Sequence, residues 1–151
     1  MALEDDIRIL SRVSLLGDFS QEQLRLLAFG AESKRFRAGS EIYAAGAEAD
    51  CAYVVTAGTV ELFRIADGRQ AAIATAGPGA MLGEYALISG SPRHTGAVAR
   101  TDVEALRLSR TLFRRILEEY PELAAKLHQR IAAELKTFLD RVTRLAPKFG
   151  D

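Results

Sequence analysis

Apolar positions along the chain fall into three regions of different period. From Ile7 to Ala28, the residues Ile7, Leu10, Val13 and then Leu24, Leu27 and Ala28 recur at helical spacing, interrupted by "GDFS" at 17–20. That pattern predicts two short helices within residues 1–33. Ser20 with Gln23 three positions on reads as a capping box opening the second, its hydroxyl and amide taking backbone donors that the first turn leaves over.

From residue 34 to 109 the period shortens to β-type runs separated by glycines: "KRFRAG", "SEIYAAG", "CAYVVTAG", "TVELFRIADG", "QAAIATAGPG" and "GAVARTDVEALRLS". Gly39, Gly46, Gly58, Gly68, Gly77 and Gly79 fall at intervals suited to consecutive hairpins. The clearest is "ADG" at 66–68, because Asp-Gly accepts the positive φ of a tight turn. Many short antiparallel strands with tight turns predict a mainly β fold: an antiparallel, jelly-roll-like β-roll or barrel with flanking helices.

The helical period returns in "TLFRRILEEY" with Leu112, Phe113, Ile116 and Leu117 on one side. Pro121, at a position where its missing N–H is harmless, starts a further helix predicted to reach about Leu145. Such a helix is about 37 Å long at roughly 1.5 Å per residue. Along it Leu127, Ile131, Leu135, Phe138, Val142 and Leu145 approach a heptad seam. Two readings stay open: simple packing along the β body, or a two-helix seam joining a homodimer. Pro147 and Gly150 are expected to stop the helix, so residues 110–146 hold the C-terminal helices of a single domain spanning 1–151.

Composition narrows the function classes. Twenty basic residues balance twenty acidic ones, without the basic excess of a nucleic-acid binder. No apolar run approaches the roughly 18–20 residues of a membrane span, and "MALEDDIRIL" is too acidic for a signal peptide. A single Cys51 permits no internal disulfide, which fits the cytoplasm. With His94 and His128 the only histidines, and no HxH, HExxH or CxxC spacing, neither a metal centre nor a catalytic residue is expected. Cys51 reads as a small core residue, with a redox role as the alternative.

The chemistry gathers in "GPGAMLGEYALISGSPRH" at 77–94. Gly77, Gly79 and Gly83 allow close backbone approach to a ligand, and "EYALI" can form a helical turn whose free N–H groups face an anion. Arg93 adds a charged donor fork for a phosphate, and N–H groups around His94 complete a cradle. Glu84, repelled by a phosphate, suits a sugar hydroxyl such as a ribose 2′-OH. A carboxylate and a guanidinium so placed describe a nucleotide with one phosphate. The plainer reading, a Glu84–Arg93 salt bridge on a loop, is equally open on residue types alone.

"GEYALISGSPRHTGAVA" resembles the phosphate-binding cassette of the cyclic nucleotide-binding domain family, whose pattern is roughly G-E-x-A-L-x-x-x-x-P-R-[ST/A]-A-x-V. "FRAGSEIYAAGAEADCAYVVTAGTVELFR" carries the family's Gly39, Gly46, Asp50, Tyr53 and Gly58 in register. The likeness covers nearly the whole chain and implies the β-roll of catabolite activator proteins and protein kinase A regulatory subunits. The cassette is 83–95. By resemblance Gly83 allows close approach and Glu84 takes the ribose 2′-hydroxyl. The N–H groups of Ala86 and His94 bind the cyclic phosphate, and Arg93 pairs with its charge. Ile73, Ala74 and Leu82 line the pocket, while Tyr85 occupies a variable position.

Where the family has a small residue and then Ala, this chain has His94, Thr95 and Gly96. His94 could contact phosphate when protonated or point to solvent. The Thr directly after the arginine that is associated with cGMP is absent, which leaves cAMP or cGMP as ligand with cAMP slightly preferred.

The resemblance implies a non-enzymatic, stand-alone sensor that signals through its C-terminal helices to an unidentified protein partner. Neither a DNA-reading element nor a catalytic domain is expected, and no cofactor apart from the ligand. A competing reading is a degenerate pocket on a constitutive interaction module, motivated by His94, Thr95 and Gly96. A cupin-like metal enzyme is disfavoured by the missing histidine pairs. Matched from Pro121, the positions facing the base fall at Phe138 and Leu139, an apolar lid. A Phe138→Ala variant is expected to bind cyclic nucleotide more weakly in calorimetry, and unchanged affinity would remove the lid.

Overall fold

The structure, a computed structural model, describes residues 2–88, 90 and 92–149, leaving aside the side chains of 2, 134, 135, 138, 139 and 141–149. Helix α1 (Ala2–Leu10) leads through a 3-10 turn, Ser14–Leu16, to α2 (Gln21–Gly30). The capping box opens α2 as expected: Ser20 Oγ accepts from the Gln23 N–H at 3.1 Å, and Gln23 Oε1 accepts from the Ser20 N–H at 2.8 Å. Eight strands follow: β1 (Glu32–Phe36), β2 (Glu41–Tyr43), β3 (Cys51–Ala57), β4 (Val60–Ala66), β5 (Arg69–Ala76), β6 (Met81–Leu82), β7 (Gly96–Ala99) and β8 (Val103–Ser109). Helices α3 (Arg110–Glu119) and α4 (Pro121–Phe149) complete the order. The expected stop near Leu145 is passed. Pro147 lies in the last turn, where a proline forfeits an N–H bond without ending the helical path.

The expectation of a mainly β, closed roll is corrected. The strands form two separate four-stranded antiparallel sheets, ordered β1-β8-β3-β6 and β2-β7-β4-β5, and no strand pairing joins one to the other among the described residues. Four α-helices accompany them, so the fold is mixed α/β. Closure is decided by whether edge strands pair, and here the edge strands β6 and β2 are two and three residues long. Glycine spacing reports where a chain reverses but not which strands share hydrogen bonds.

Alternation along β3 and β8 explains the layering, because successive strand residues face opposite sides of a sheet. Ala52, Val54, Leu106 and Leu108 face the helices and join Leu10, Leu27, Phe113, Leu123 and Leu127 in one core. Val55, Val103 and Ala105 point the other way, towards Val60, Ala97 and Ala99 of the second sheet, with Leu82 at the margin. Helix α4 is fixed at its start by Leu123 and Leu127 and by Arg130, whose Nη2 lies 3.0 Å from Asp18 Oδ2 in the turn before α2. Of the expected seam, Leu127 is buried and Ile131 packs at the core edge, and the side chains of Leu135, Phe138, Val142 and Leu145 lie outside those described.

Phe113 is fully buried, its ring centroid 5.9 Å from that of Phe19. Phe113→Ala should therefore lower stability by about 3–5 kcal/mol in urea denaturation. A loss below about 1 kcal/mol would show that the helices do not pack on β3 and β8 as described.

Candidate functional site

Strand β6 delivers the chain to Gly83, which sits in the left-handed region with φ +71°, and then to a 3-10 turn, Glu84–Leu87. A side chain at position 83 would be strained by its backbone, and its Cβ would collide with Nη1 of Arg93. The bare backbone at Gly83 is therefore what lets the guanidinium pass behind the turn.

Arg93 is anchored by both its main-chain groups. Its N–H donates to Ala47 O at 2.8 Å, and its carbonyl accepts from the Gly46 N–H at 2.8 Å, both in the loop between β2 and β3. The side chain then turns inward and is 8% exposed, the one charged side chain so deeply buried among the described residues. Nη2 lies 3.4 Å from Cys51 Sγ, and Cζ lies 4.3 Å from the centroid of the Tyr43 ring. Nε and Nη1 have no hydrogen-bond partner among the described residues. Nor does Glu84 form an ion pair with Arg93 there. Leaving a buried donor unmade costs about 1–3 kcal/mol, and more for a charged group. Arg93 thus keeps a buried charge and two unmatched donors, which a neighbouring anion would offset.

Arg93 borders a cavity of about 300 Å³ lined chiefly by apolar groups, with Glu84 and Arg93 as its charged members. Leu82, Gly83, Tyr85, Ala86, His94 and Thr95 also meet there, so every cassette residue singled out in the sequence reaches one cavity. The Ala86 N–H is engaged within its own turn, donating to Gly83 O at 3.0 Å, so an incoming anion would share it. His94 is exposed, its ring edge-on to half-exposed Tyr85 with centroids 6.4 Å apart.

Ile73 and Ala74 are not among the residues lining the cavity. Both are exposed on β5, where the register against β4 shifts between Leu62 and Phe63, leaving Ile73 as the extra residue of a bulge. Leu62 of β4 lines that side instead. The side chains of Phe138 and Leu139 lie outside the described residues.

The departure at Gly96 has a partner. Gly96 pairs with Phe63 across β7 and β4, and the Phe63 ring occupies the space a Cβ at 96 would need. Phe63 is buried, so the missing methyl is replaced by an aromatic cover.

Two residues escaped sequence reasoning. Tyr43 reads as an ordinary strand position, yet its ring faces Arg93. Arg110 belongs to no motif in the sequence, yet its Nε donates to Ala86 O at 2.7 Å and its Nη2 to Ala49 O, tying the first residue of α3 to the cassette. Neither has a local sequence signature, because each partner is distant in the chain.

A model of the cyclic nucleotide-binding domain matches residues 33–120. The chain belongs to the cyclic nucleotide-binding domain family. The domain is 54% identical to a cyclic nucleotide-binding-like protein from Brucella abortus, with a TM-score of 0.70 over 76% of this chain and 98% of that one. The N-terminal domain of a transcriptional regulator from Streptomyces coelicolor gives a TM-score of 0.80 at 31% identity, covering 87% of this chain and 95% of that one. A cAMP-dependent protein kinase regulatory subunit from Eremothecium gossypii is 40% identical over 103 residues, which are 68% of this chain and 22% of that protein. The chain thus spans about a fifth of that relative's length. These matches support a cyclic nucleotide-binding regulatory domain. Among the described residues no cluster of His, Cys, Asp or Glu could hold a metal, and no helix is long and apolar enough to cross a membrane.

Tyr43 stacks on Tyr53 with centroids 6.3 Å apart, and Tyr53 meets Phe36 edge-on. Burial pushes the Tyr43 phenol up against the opposing pull of Thr95 and Arg93, and burial together with neighbouring Cys51 pushes Tyr53 up to about 12 from an ordinary 10.0. A raised folded pKa means that the stabilisation of the neutral phenol is complete below about pH 10 and is lost as pH rises through about 12. Compared with Tyr53→Phe, the wild-type domain should lose stability across that window. An absorbance titration placing Tyr53 near 10 would contradict this.

Proposed function

We propose that the domain is a cyclic nucleotide sensor whose cavity takes cAMP or cGMP, with cAMP preferred, and which passes occupancy on through its C-terminal helices. The observation that carries this reading is Arg93: a buried guanidinium with two open donors beside a cavity that Glu84 also borders. In this reading the cyclic phosphate meets Arg93 and the backbone around Ala86 and His94, and Glu84 accepts from the ribose 2′-hydroxyl. Leu62, Leu82 and Ala86 supply the apolar wall. A ring-closed phosphate suits the site because it offers a single anionic group and a compact sugar to a small cavity.

The preference for cAMP is supported by the name of the Eremothecium relative and by His94, which stands directly after Arg93 where a threonine would be associated with cGMP. The reading of the pocket as degenerate finds no support at Gly96, where Phe63 fills the gap. Signalling would run through Arg110, since it holds the Ala86 carbonyl from the first residue of α3. Ligand can shift such a contact only through different affinity for two arrangements. Pairing of α4 between two copies remains the proposed output on its heptad pattern.

Calorimetric titration with cAMP and cGMP tests the reading. Wild type is expected to bind at micromolar concentration, and Arg93→Ala should lose about 2–5 kcal/mol of binding energy. Absence of binding for both nucleotides would overturn the reading, and unchanged affinity in Arg93→Ala would move the phosphate elsewhere.

A further inference from the structure

The domain carries several arginines whose charge is matched by oxygen acceptors. Arg107 reaches Glu32 at 3.1 Å and Asp50 at 3.4 Å, Arg130 reaches Asp18 at 3.0 Å, and Arg110 donates to two main-chain carbonyls. Arg93 is held differently. Its guanidinium lies across the Tyr43 ring at 4.3 Å, and among the described residues the one hydrogen bond of that group goes from Nη2 to the Cys51 sulfur, a weak acceptor. Both contacts orient the group without neutralising it.

That arrangement solves a specific difficulty. A carboxylate beside Arg93 would fix the guanidinium firmly but would cancel the charge an incoming phosphate needs. A purely aliphatic wall would leave the charge intact but would do nothing to hold a long, rotamer-rich side chain in place. The face of an aromatic ring does both, since its quadrupole attracts a cation while offering no hydrogen-bond acceptor. Tyr43 is itself fixed by stacking on Tyr53, which Phe36 meets edge-on, so the platform is rigid. Its phenol neighbours Thr95, two residues beyond Arg93. The tyrosine therefore touches both sides of His94, whose N–H the cassette presents to the ligand in the reading above.

We propose that Tyr43 is a positioning residue for the anion site: its ring holds the Arg93 guanidinium ready for a phosphate while leaving Nε and Nη1 unspent. The proposal rests on the cyclic nucleotide reading of the cavity. It assigns the ring the main role and the hydroxyl a lesser one, the steadying of Thr95. Rigid placement matters because a side chain ordered before binding loses less entropy when the ligand arrives.

Tyr43→Leu removes the ring and Tyr43→Phe keeps it, and both can be titrated with cAMP beside wild type. Tyr43→Leu should bind about tenfold more weakly, and Tyr43→Phe should come within about threefold of wild type, a tenfold change being about 1.4 kcal/mol. In the ligand-free protein, the Arg93 Nε–H resonance should carry an upfield ring-current shift in wild type and Tyr43→Phe that disappears in Tyr43→Leu. Equal affinity of Tyr43→Leu and wild type, or an equal loss in both variants, would overturn the role of the ring. Wild type that binds no cyclic nucleotide would overturn the functional reading, and the resonance in the free protein would still judge the Tyr43–Arg93 contact. An unshifted resonance would refute that contact directly.

Discussion

A guanidinium keeps its charge wherever it is placed, so burying one without an anion must be supported by the surrounding structure. Around Arg93 that support is visible on every side. The loop at Gly46 and Ala47 fixes its backbone, Gly83 clears the space behind its Nη1, Cys51 takes one donor and Tyr43 lies against its face. These residues come from the β2–β3 loop, the end of β6, the start of β3 and the end of β2. Two separate stretches of chain, 43–51 and the turn at 83, are thus committed to one side chain. Holding a buried cation with two donors unmatched costs stability, and in the proposed reading a bound anion would offset that cost.

The two sheets make this arrangement possible by not closing. Their shared core is built from small and β-branched residues, Val55, Val60, Ala97, Ala99, Val103 and Ala105, which let the layers approach closely. Towards the cassette Leu82 gives way to Gly83 and Glu84, and the cavity opens there between β4, the end of β2 and the 3-10 turn. Phe63 over Gly96 shows how narrowly the strands are fitted at that point. A larger residue at 96 would push β7 from β4 and, with it, the Arg93–Thr95 segment that runs into β7.

The cassette was legible in the sequence because its chemistry is local: Gly83, Glu84 and Arg93 lie within eleven residues, and each residue type has a physical reason to be there. The capping box at Ser20 was legible for the same reason, as was the Asp-Gly hairpin, where Asp67 and Gly68 adopt φ of +52° and +75°. Sheet closure was not, since it depends on which distant strands pair. The resemblance that puts Ile73 and Ala74 at the pocket carries no information about the β5 bulge, since one bulged residue shifts the faces of a strand without leaving a mark in the sequence. Tyr43 and Arg110 were hidden because their partners lie 50 and 24 positions away, at Arg93 and Ala86.

Arg110 bears on how a pocket in the strands could concern the helices at all. Coupling between sites needs a physical element whose arrangement both sites bias. In the proposed sensor the Ala86 carbonyl would be such an element, because it belongs to the turn beside the cavity and accepts from a side chain at the first position of α3. Helix α3 in turn buries Phe113 and Ile116 in the core that also holds Leu123 and Leu127 of α4. A shift of the turn by a fraction of a hydrogen-bond length would have to be absorbed either at Arg110 or in that core. A close-packed core yields only by repacking, whereas a guanidinium spanning the Ala86 and Ala49 carbonyls can exchange one acceptor for another. If the sensor reading proposed above holds, the softer link would lie at Arg110, and a path from cavity to helices would pass through it before any apolar contact need move.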